Sequence, residues 1–331
     1  MRLALIAHGA MPIPPKGWGA VEGIIWNWKL YLERAGHSVD IFNTGRIHSV
    51  IYDINDGDYD FAHCHNEAFV LDCVAHLNVP FAVTSHTALK RLPSGDYEYA
   101  GAAQYQFKSM LQAPANIVLS EKIKAIYLHN GYEGFLRVLR NAVATENFRV
   151  HNRGNGKAIC LGRIARRKRQ HWLSEIARDR VAVDFVGPWD RETATEFKEH
   201  QMAKYLGAWD RQTLYDRLSD YSCLALLSGS EAAAPLVVLE AFAAGLSVVI
   251  SEACAENLID KEFITIIPDH EKNPVVISQA IHAAIEKNAS LRSEICRYAL
   301  EHFDYKVLCQ EYLHIIEEIR EHFRHRAGGK R

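Results

Sequence analysis

Short apolar runs alternate along the first half of the chain with longer segments whose apolar residues recur every three or four positions. The apolar runs have the length and composition of buried strands: LALIAH, HSVDIFN, DFAHCH, FAVTSH and NIVLS. The segments between them have the helical pattern: AVEGIIWNWKLYLERAG, EAFVLDCVAHLN, YAGAAQYQFKSMLQA and EKIKAIYLHN. Strands that alternate with helices pair in parallel, so the pattern predicts an α/β fold.

A second series of the same kind follows the polar break HNRGNGK at residues 151–157. Its predicted strands are AICLGRI, VAVDFVG, CLALLS and SVVIS, and its predicted helices are QHWLSEIARD, RQTLYDRLSDY, APLVVLEAFAAG and two late segments, PVVISQAIHAAIEKN and LCQEYLHIIEEIREHFRHR. The pattern predicts two doubly wound domains joined near residue 150, as the length of 331 residues also suggests. Ligands of such sheets bind beyond the carboxyl ends of the strands, so the loops after strands are the candidate sites.

Composition and charge narrow the function classes. Hydrophobic residues make up 48% of the chain, and the formal net charge of −2 gives no basic excess for nucleic acid. Seven scattered cysteines without metal-ligand spacing predict reduced thiols and a cytoplasmic protein. The sequence contains no run of 18 uninterrupted apolar residues, so no membrane-spanning segment is predicted.

Two features of the first half are candidates for ligand binding. Gly17 and Gly19, in PPKGWGAVEG, follow a strand and open a helix, where small residues and free N–H groups let an anion approach the backbone. His65 and His86 each end a strand, at the edge where ligands are expected. An ordinary loop and ordinary polar strand ends are the alternatives. No third metal ligand stands out nearby, so no metal site is predicted.

The second half contributes a basic run and a carboxylate. Arg163 ends a strand and Lys168 follows five residues later, a pair suited to a diphosphate; a solvated basic loop is the alternative. Glu240 lies on an apolar helix that begins at Pro235 and Leu236. A buried carboxylate needs hydrogen-bond donors, which ribose hydroxyls or backbone N–H groups could supply.

Taken in order, these segments resemble the retaining glycosyltransferases of family 4, the group 1 glycosyltransferases. MPIPPKGWGAVEG resembles the glycine loop of the family, VTSHTA its strand-end histidine motif, and VLRNAVATENFRV its interdomain link. LGRIARRK matches G-R-x-x-x-x-K at Gly162, Arg163 and Lys168, and PLVVLEAFAAG resembles the end of the E-x7-E motif. The resemblance implies a GT-B fold: two Rossmann-like doubly wound domains facing a cleft, with a C-terminal helix that crosses back to the N-domain. The implied divisions are an acceptor-side domain at 1–150, a nucleotide-sugar domain at 151–305 and the returning helix at 306–325.

The resemblance also implies roles. Arg163 and Lys168 would hold the donor diphosphate, Glu240 would take the ribose hydroxyls, and His86 would lie near the donor sugar. The wider expected set has Gly17, Gly19, Pro235 and Leu236 at the donor, Glu231 among the catalytic residues, and Trp18 and His65 on the acceptor side. The donor would be a UDP- or GDP-sugar, with no metal or other cofactor, and the acceptor a glycan or a lipid-linked molecule of polysaccharide or glycolipid biosynthesis. The segments LKRL at 89–92 and FLRVLR at 135–140 are compatible with peripheral membrane contact.

The chain departs from the family pattern at the first glutamate. Ala232 occupies that position and Glu231 precedes it, so the spacing is E-x8-E, and Arg169 replaces the glycine after the motif lysine. Either Glu231 reaches the site through a shifted loop, or its contact with the donor sugar is absent. Two alternatives to a transferase remain: a sugar-nucleotide epimerase of the same fold, and a non-catalytic nucleotide-sugar-binding protein.

Overall fold

A computed structural model of the chain describes residues 1–91, 97–99, 106–189, 191–192 and 194–328. It divides into two compact units. Unit 1 consists of Met1–Pro15, Gly19–Arg140 and Tyr305–Arg331, and unit 2 of Lys16–Trp18 and Asn141–Asp304. The acceptor and donor roles assigned to 1–150, 151–305 and 306–325 stay predictions.

Unit 1 contains a six-stranded parallel sheet in the order β2-β1-β3-β4-β7-β8. Its strands and helices are β1 (Arg2–Ala7), α1 (Ala20–Arg34), β2 (Ser38–Asn43), α2 (Ile47–Asp56), β3 (Phe61–Cys64), α3 (Val70–His76), β4 (Phe81–Val83), β5 (Leu89–Arg91), β6 (Tyr97–Tyr99), α4 (Gln106–Met110), β7 (Ala115–Val118), α5 (Glu121–His129) and β8 (Phe135–Val138). β5 and β6 form a separate antiparallel pair. Of the helix predicted at YAGAAQYQFKSMLQA, residues 100–105 lie outside the described chain.

Helix α1 begins where the glycine loop ends. Gly19 precedes it with φ of 148°, and a Cβ on this residue would lie 3.0 Å from Glu22 Oε2. A left-handed φ and this close approach both favour glycine. Helix α2 was not predicted, although Ile47, Val50, Ile51 and Ile54 are buried at helical spacing; no side chain caps its start, so the sequence lacks a start signal.

The last helix, α10 (Tyr305–Gly328), belongs to unit 1, as predicted for the returning helix. Its Tyr312 ring packs 4.7 Å from that of Trp28 on α1, measured between centroids. Glu318 and Glu311 of α10 pair with Arg137 and Arg140 at 3.0 and 3.7 Å. The helix therefore binds both arginines of the FLRVLR segment, whose positive charge is offset inside the unit.

Unit 2 contains a second six-stranded parallel sheet, in the order β11-β10-β9-β12-β13-β14. Its elements are β9 (Ala158–Leu161), α6 (Gln170–Ala177), β10 (Val183–Val186), β11 (Ala203–Tyr205), α7 (Arg211–Arg217), β12 (Cys223–Leu226), α8 (Leu236–Ala243), β13 (Ser247–Ser251), β14 (Ile264–Ile267) and α9 (Pro274–His302). The two edge strands, β11 and β14, were not predicted. Both are short and only partly buried. The sequence of β11, AKY, lacks the apolar run of a central strand, whereas that of β14, ITII, is largely apolar and could have been predicted as a strand.

The predicted fold class, α/β with two doubly wound parallel sheets, is confirmed. All seven cysteines are free in the structure. Among the described helices, none combines the length and the apolar character needed to cross a membrane.

Candidate functional site

The loop after β9 holds the predicted diphosphate residues, and a buried glutamine braces it. Gln170, 1% exposed, donates from Nε2 to the carbonyl of Arg163 at 2.9 Å, and its Oε1 accepts from the N–H of Ala165 at 3.1 Å. On the other side the loop touches the end of β10, where a Cβ on Gly187 would lie 2.1 Å from the carbonyl oxygen of Gly162. The loop is thus held on two sides.

Lys168 and Glu231 form the centre of the site in unit 2. Lys168 Nζ lies 2.6 Å from Glu231 Oε1, and Arg167 Nη1 lies 3.0 Å from the same oxygen. Ser228 Oγ donates to it as well, at 2.5 Å. The side chains of Lys168 and Glu231 are 14% and 12% exposed. Glu231 therefore reaches the basic loop despite its shifted register, and one carboxylate oxygen occupies the position between two cations.

The other arginines of the run differ in their partners. Arg166 pairs with Glu196 at 3.6 Å, and Arg169 pairs with Asp269 at 3.4 Å. No carboxylate in the described part of the chain pairs with Arg163, whose side chain is exposed. Its guanidinium carbon lies 4.3 Å from the centroid of the Trp18 ring, so Arg163 contacts an aromatic face and no carboxylate of the described chain.

Glu240 of α8 is buried, with its side chain 5% exposed, and it has a protein partner that the sequence did not reveal. Arg211, the first residue of α7, donates from Nη1 to Glu240 Oε1 at 2.6 Å. Its Nε and Nη2 donate to the Tyr215 hydroxyl at 3.2 and 3.0 Å. Burial alone would lower the pKa of Arg211, but the charge of Glu240 and the Tyr215 contact outweigh burial and raise this pKa, so Arg211 stays charged. Pro235 and Leu236 stand at the start of the same helix.

Replacing Arg211 by methionine is expected to lower the free energy of unfolding by about 1–2 kcal/mol, because the buried Glu240 carboxylate loses its hydrogen-bond donor. Breaking a buried pair costs more, about 3–5 kcal/mol, but Arg211 is partly exposed. Urea denaturation at pH 7 measures the change. The double variant Arg211→Met, Glu240→Gln should recover most of the loss; a double variant no more stable than Arg211→Met would contradict the pairing.

In unit 1, histidines end three strands that are neighbours in the sheet. His8 follows β1, His65 follows β3, and Thr84 and His86 follow β4. His65 Nδ1 lies 3.0 Å from His86 Nε2, and the two rings are stacked. His65 is 3% exposed, so this predicted acceptor-side residue reaches His86 rather than the surface. The strand order, which the sequence does not show, brings these residues together.

The glycine-loop residues lie ahead of α1. Trp18 is 47% exposed, and a Cβ on Gly17 would meet no atom within 4 Å. Glu22, in the first turn of α1, is 4% exposed and pairs with His8, whose Nε2 lies 3.0 Å from Glu22 Oε1. Neither His8 nor Glu22 was predicted from the sequence as a site residue. His8 is a polar residue directly after an apolar strand, and that position could have marked it as a candidate site residue.

Among the described residues, no group of three or more histidine, cysteine, aspartate or glutamate side chains could hold a metal ion. The expected absence of a metal or other cofactor stays a prediction.

One family model matches part of unit 2. Residues 155–287 match the family model described as "Glycosyl transferases group 1". No curated protein matches the chain. Arg163, Lys168, Glu231 and Glu240 all lie inside the matched segment.

Solved structures share the fold over nearly the whole chain. AviGT4, a glycosyltransferase involved in avilamycin A biosynthesis, is 14% identical, with a TM-score of 0.72 over 97% of this chain and 98% of its own. Sucrose-phosphate synthase from Thermosynechococcus elongatus is 16% identical, with a TM-score of 0.76 over 96% and 98%. Anabaena HepE, in complex with UDP and glucose, is 15% identical, with a TM-score of 0.74 over 96% and 100%. The chain thus has the GT-B fold, and its residues 155–287 match the family model of the group 1 glycosyltransferases.

Proposed function

We propose that the protein is a retaining glycosyltransferase of family 4. It moves a hexose from a UDP- or GDP-sugar to a glycan or lipid-linked acceptor, without a metal. The observation that carries the proposal is the convergence of Lys168 Nζ and Arg167 Nη1 on one carboxylate oxygen inside the group 1 domain. Both cations contact this carboxylate oxygen, and a phosphate oxygen is an anionic acceptor of the same kind.

The basic loop provides what the leaving group needs. When the bond between the anomeric carbon and the diphosphate breaks, the electron pair and its charge pass to the diphosphate. Lys168 and Arg163, which stacks on Trp18, would stabilise that charge, as preorganised cations do in transition states. Glu231 holds Lys168 before the donor binds, so donor binding involves a partial exchange of one anion for another.

Glu240 would accept hydrogen bonds from the ribose hydroxyls. Arg211 takes one of its oxygens, Oε1, and holds the carboxylate in one orientation. The backbone N–H groups at the start of α8, after Pro235, would add donors for the phosphates. In unit 1, His86 would hydrogen-bond to the donor sugar.

In a retaining transfer the acceptor oxygen bonds to the anomeric carbon on the face that the diphosphate leaves. The acceptor proton passes to the departing phosphate oxygen, which balances the reaction. Retention, family 4 and the biosynthesis of polysaccharide or glycolipid rest on the family resemblance. We also propose a cytoplasmic location and peripheral membrane contact. Of the two basic segments, LKRL at 89–92 extends outside the described residues.

HepE has been solved in complex with UDP-glucose, which makes UDP-sugars the first donors to test. Isothermal calorimetry with UDP, GDP and their sugars, in buffer containing EDTA, is expected to show binding of one nucleotide series. Transfer to an acceptor panel, with the product linkage determined by NMR, would then establish the reaction. An isomerised sugar from the donor alone would indicate an epimerase, and saturable binding without turnover would indicate a non-catalytic binding protein. Binding only in the presence of a divalent metal would contradict the metal-independent proposal.

A further inference from the structure

The histidines at the strand ends of unit 1 form a network in which the proton positions can be deduced. His63, on β3, shows how. Thr84 Oγ1 donates its one proton to the carbonyl of Ile117 at 2.6 Å, so it accepts from His63 Nε2 at 2.8 Å. His63 therefore carries its proton on Nε2. Its Nδ1 accepts from the Tyr312 hydroxyl at 2.5 Å.

His8 is determined in the same way. Its Nδ1 accepts from the backbone N–H of Ala10 at 3.0 Å, which leaves the proton on Nε2, directed at Glu22 Oε1. Burial lowers the pKa of His63 to about 3, and burial with the charge of His8 lowers the pKa of His86 to about 4. Burial and the neighbouring His63 and His86 also hold the pKa of His65 well below its usual value. His63, His65 and His86 are therefore neutral at pH 7, and each of these three rings has a single proton to place.

The pair His65–His86 has two arrangements. In one, His65 Nδ1 donates to His86 Nε2 and leaves a bare lone pair on His65 Nε2. In the other, His86 Nε2 donates to His65 Nδ1 and leaves an N–H on His65 Nε2. His65 Nε2 is buried and has no hydrogen-bond partner among the residues that the structure describes. Buried N–H groups without an acceptor are rarer in proteins than under-satisfied acceptors, which favours the first arrangement.

We propose that His65 is a positioning residue: its Nδ1–H donates to His86 Nε2 and thereby keeps the proton of His86 on Nδ1. His86 Nδ1 bonds to no group in the described part of the chain, and His86 is partly exposed. Unit 1 thus presents a fixed N–H donor at the carboxyl end of β4.

The role of this His86 tautomer in the reaction rests on the proposed function. A neutral histidine with its proton on the free nitrogen donates a hydrogen bond and has no lone pair there, so His86 cannot take a proton from an acceptor hydroxyl through Nδ1. It is suited to an acceptor atom of the donor, such as a sugar hydroxyl oxygen. His65 acts on that contact only through His86.

Nitrogen-15 NMR of histidine-labelled, ligand-free protein at pH 7 tests the assignment directly, because the two ring tautomers differ in their nitrogen shifts. The resonances of His65 and His86 are identified from His65→Leu and His86→Gln. Wild-type His86 is expected as the Nδ1–H tautomer. His86 found with its proton on Nε2 would overturn the proposal, whatever the activity.

Three variants of His65 separate positioning from packing. His65→Asn places an amide N–H close to the position of Nδ1–H and is expected to keep the His86 tautomer and activity. His65→Leu keeps the volume without a donor and is expected to leave a mixture of His86 tautomers, with about a tenfold loss in kcat/KM. His65→Asp places an acceptor there and is expected to move the His86 proton to Nε2.

The readouts distinguish failure of this inference from failure of the proposed function. If His86 is the Nδ1–H tautomer but the protein binds no nucleotide-sugar, the His65–His86 pairing is supported and the proposed transferase activity is contradicted. If His65→Leu binds the donor and turns it over as the wild type does, and the His86 tautomer is unchanged, the positioning role of His65 is contradicted. If His65→Leu does not fold, the wild-type tautomer and His65→Asn still decide the question.

Discussion

Replacing Lys168 by alanine is expected to lower kcat/KM by about 100- to 1,000-fold. The loss reflects one preorganised charge removed from the departing diphosphate, a contribution of about 3–4 kcal/mol in comparable sites. Part of the loss should appear as weaker binding of the nucleoside diphosphate by calorimetry. The variant is expected to fold, because Glu231 keeps its contacts with Arg167 and Ser228.

The matched control for Lys168→Ala is Arg166→Ala, in the same basic run. Arg166 is exposed and pairs with Glu196, on the rim of the loop, so kcat/KM should change by less than about twofold. Lys168→Arg keeps the charge and should retain more activity than Lys168→Ala. If Lys168→Ala is as active as the wild type, the proposal that this loop binds the donor diphosphate is contradicted.

Replacing Gly187 by alanine is expected to lower the free energy of unfolding by about 3–5 kcal/mol. Gly187 has φ of 147°, and a Cβ would lie 2.1 Å from the carbonyl oxygen of Gly162. Left-handed strain costs about 1–3 kcal/mol and overpacking a further 1–3 kcal/mol. Because the contact is backbone against backbone, neither side can move away without disturbing the loop that carries Arg163.

Gly207→Ala is the control that measures the cost of a left-handed backbone conformation without a close contact. Gly207 has φ of 80°, and a Cβ there would meet no atom within 4 Å, so the expected loss is about 1 kcal/mol. Urea denaturation gives both values. Equal losses in the two variants would show that the contact with Gly162 does not constrain the fold.

A structural feature could be predicted from the sequence where its signal lies within a short stretch of residues. The alternation of strands and helices, the glycine loop before α1 and the motif from Gly162 to Lys168 lie within short windows. The two sheets were therefore predicted, except for edge strands such as β11, where a three-residue polar segment carries no apolar run. Helix α2 was missed although its period is present, because the start signal is absent.

The sequence alone also determined which residue types stand at strand ends, and hence that Arg163, Lys168 and His86 are candidates. Their partners came only from the tertiary structure. Glu231 meets Lys168 across 63 positions and Arg211 meets Glu240 across 29.

The histidine pair shows the same limit. His65 meets His86 because β3 and β4 are neighbours in the sheet, and strand order is a property of the packed sheet. Local pattern determines which segments bury their apolar side chains. The pairing of charges and protons at the strand ends depends on which strands become neighbours, and the folded sheet decides that.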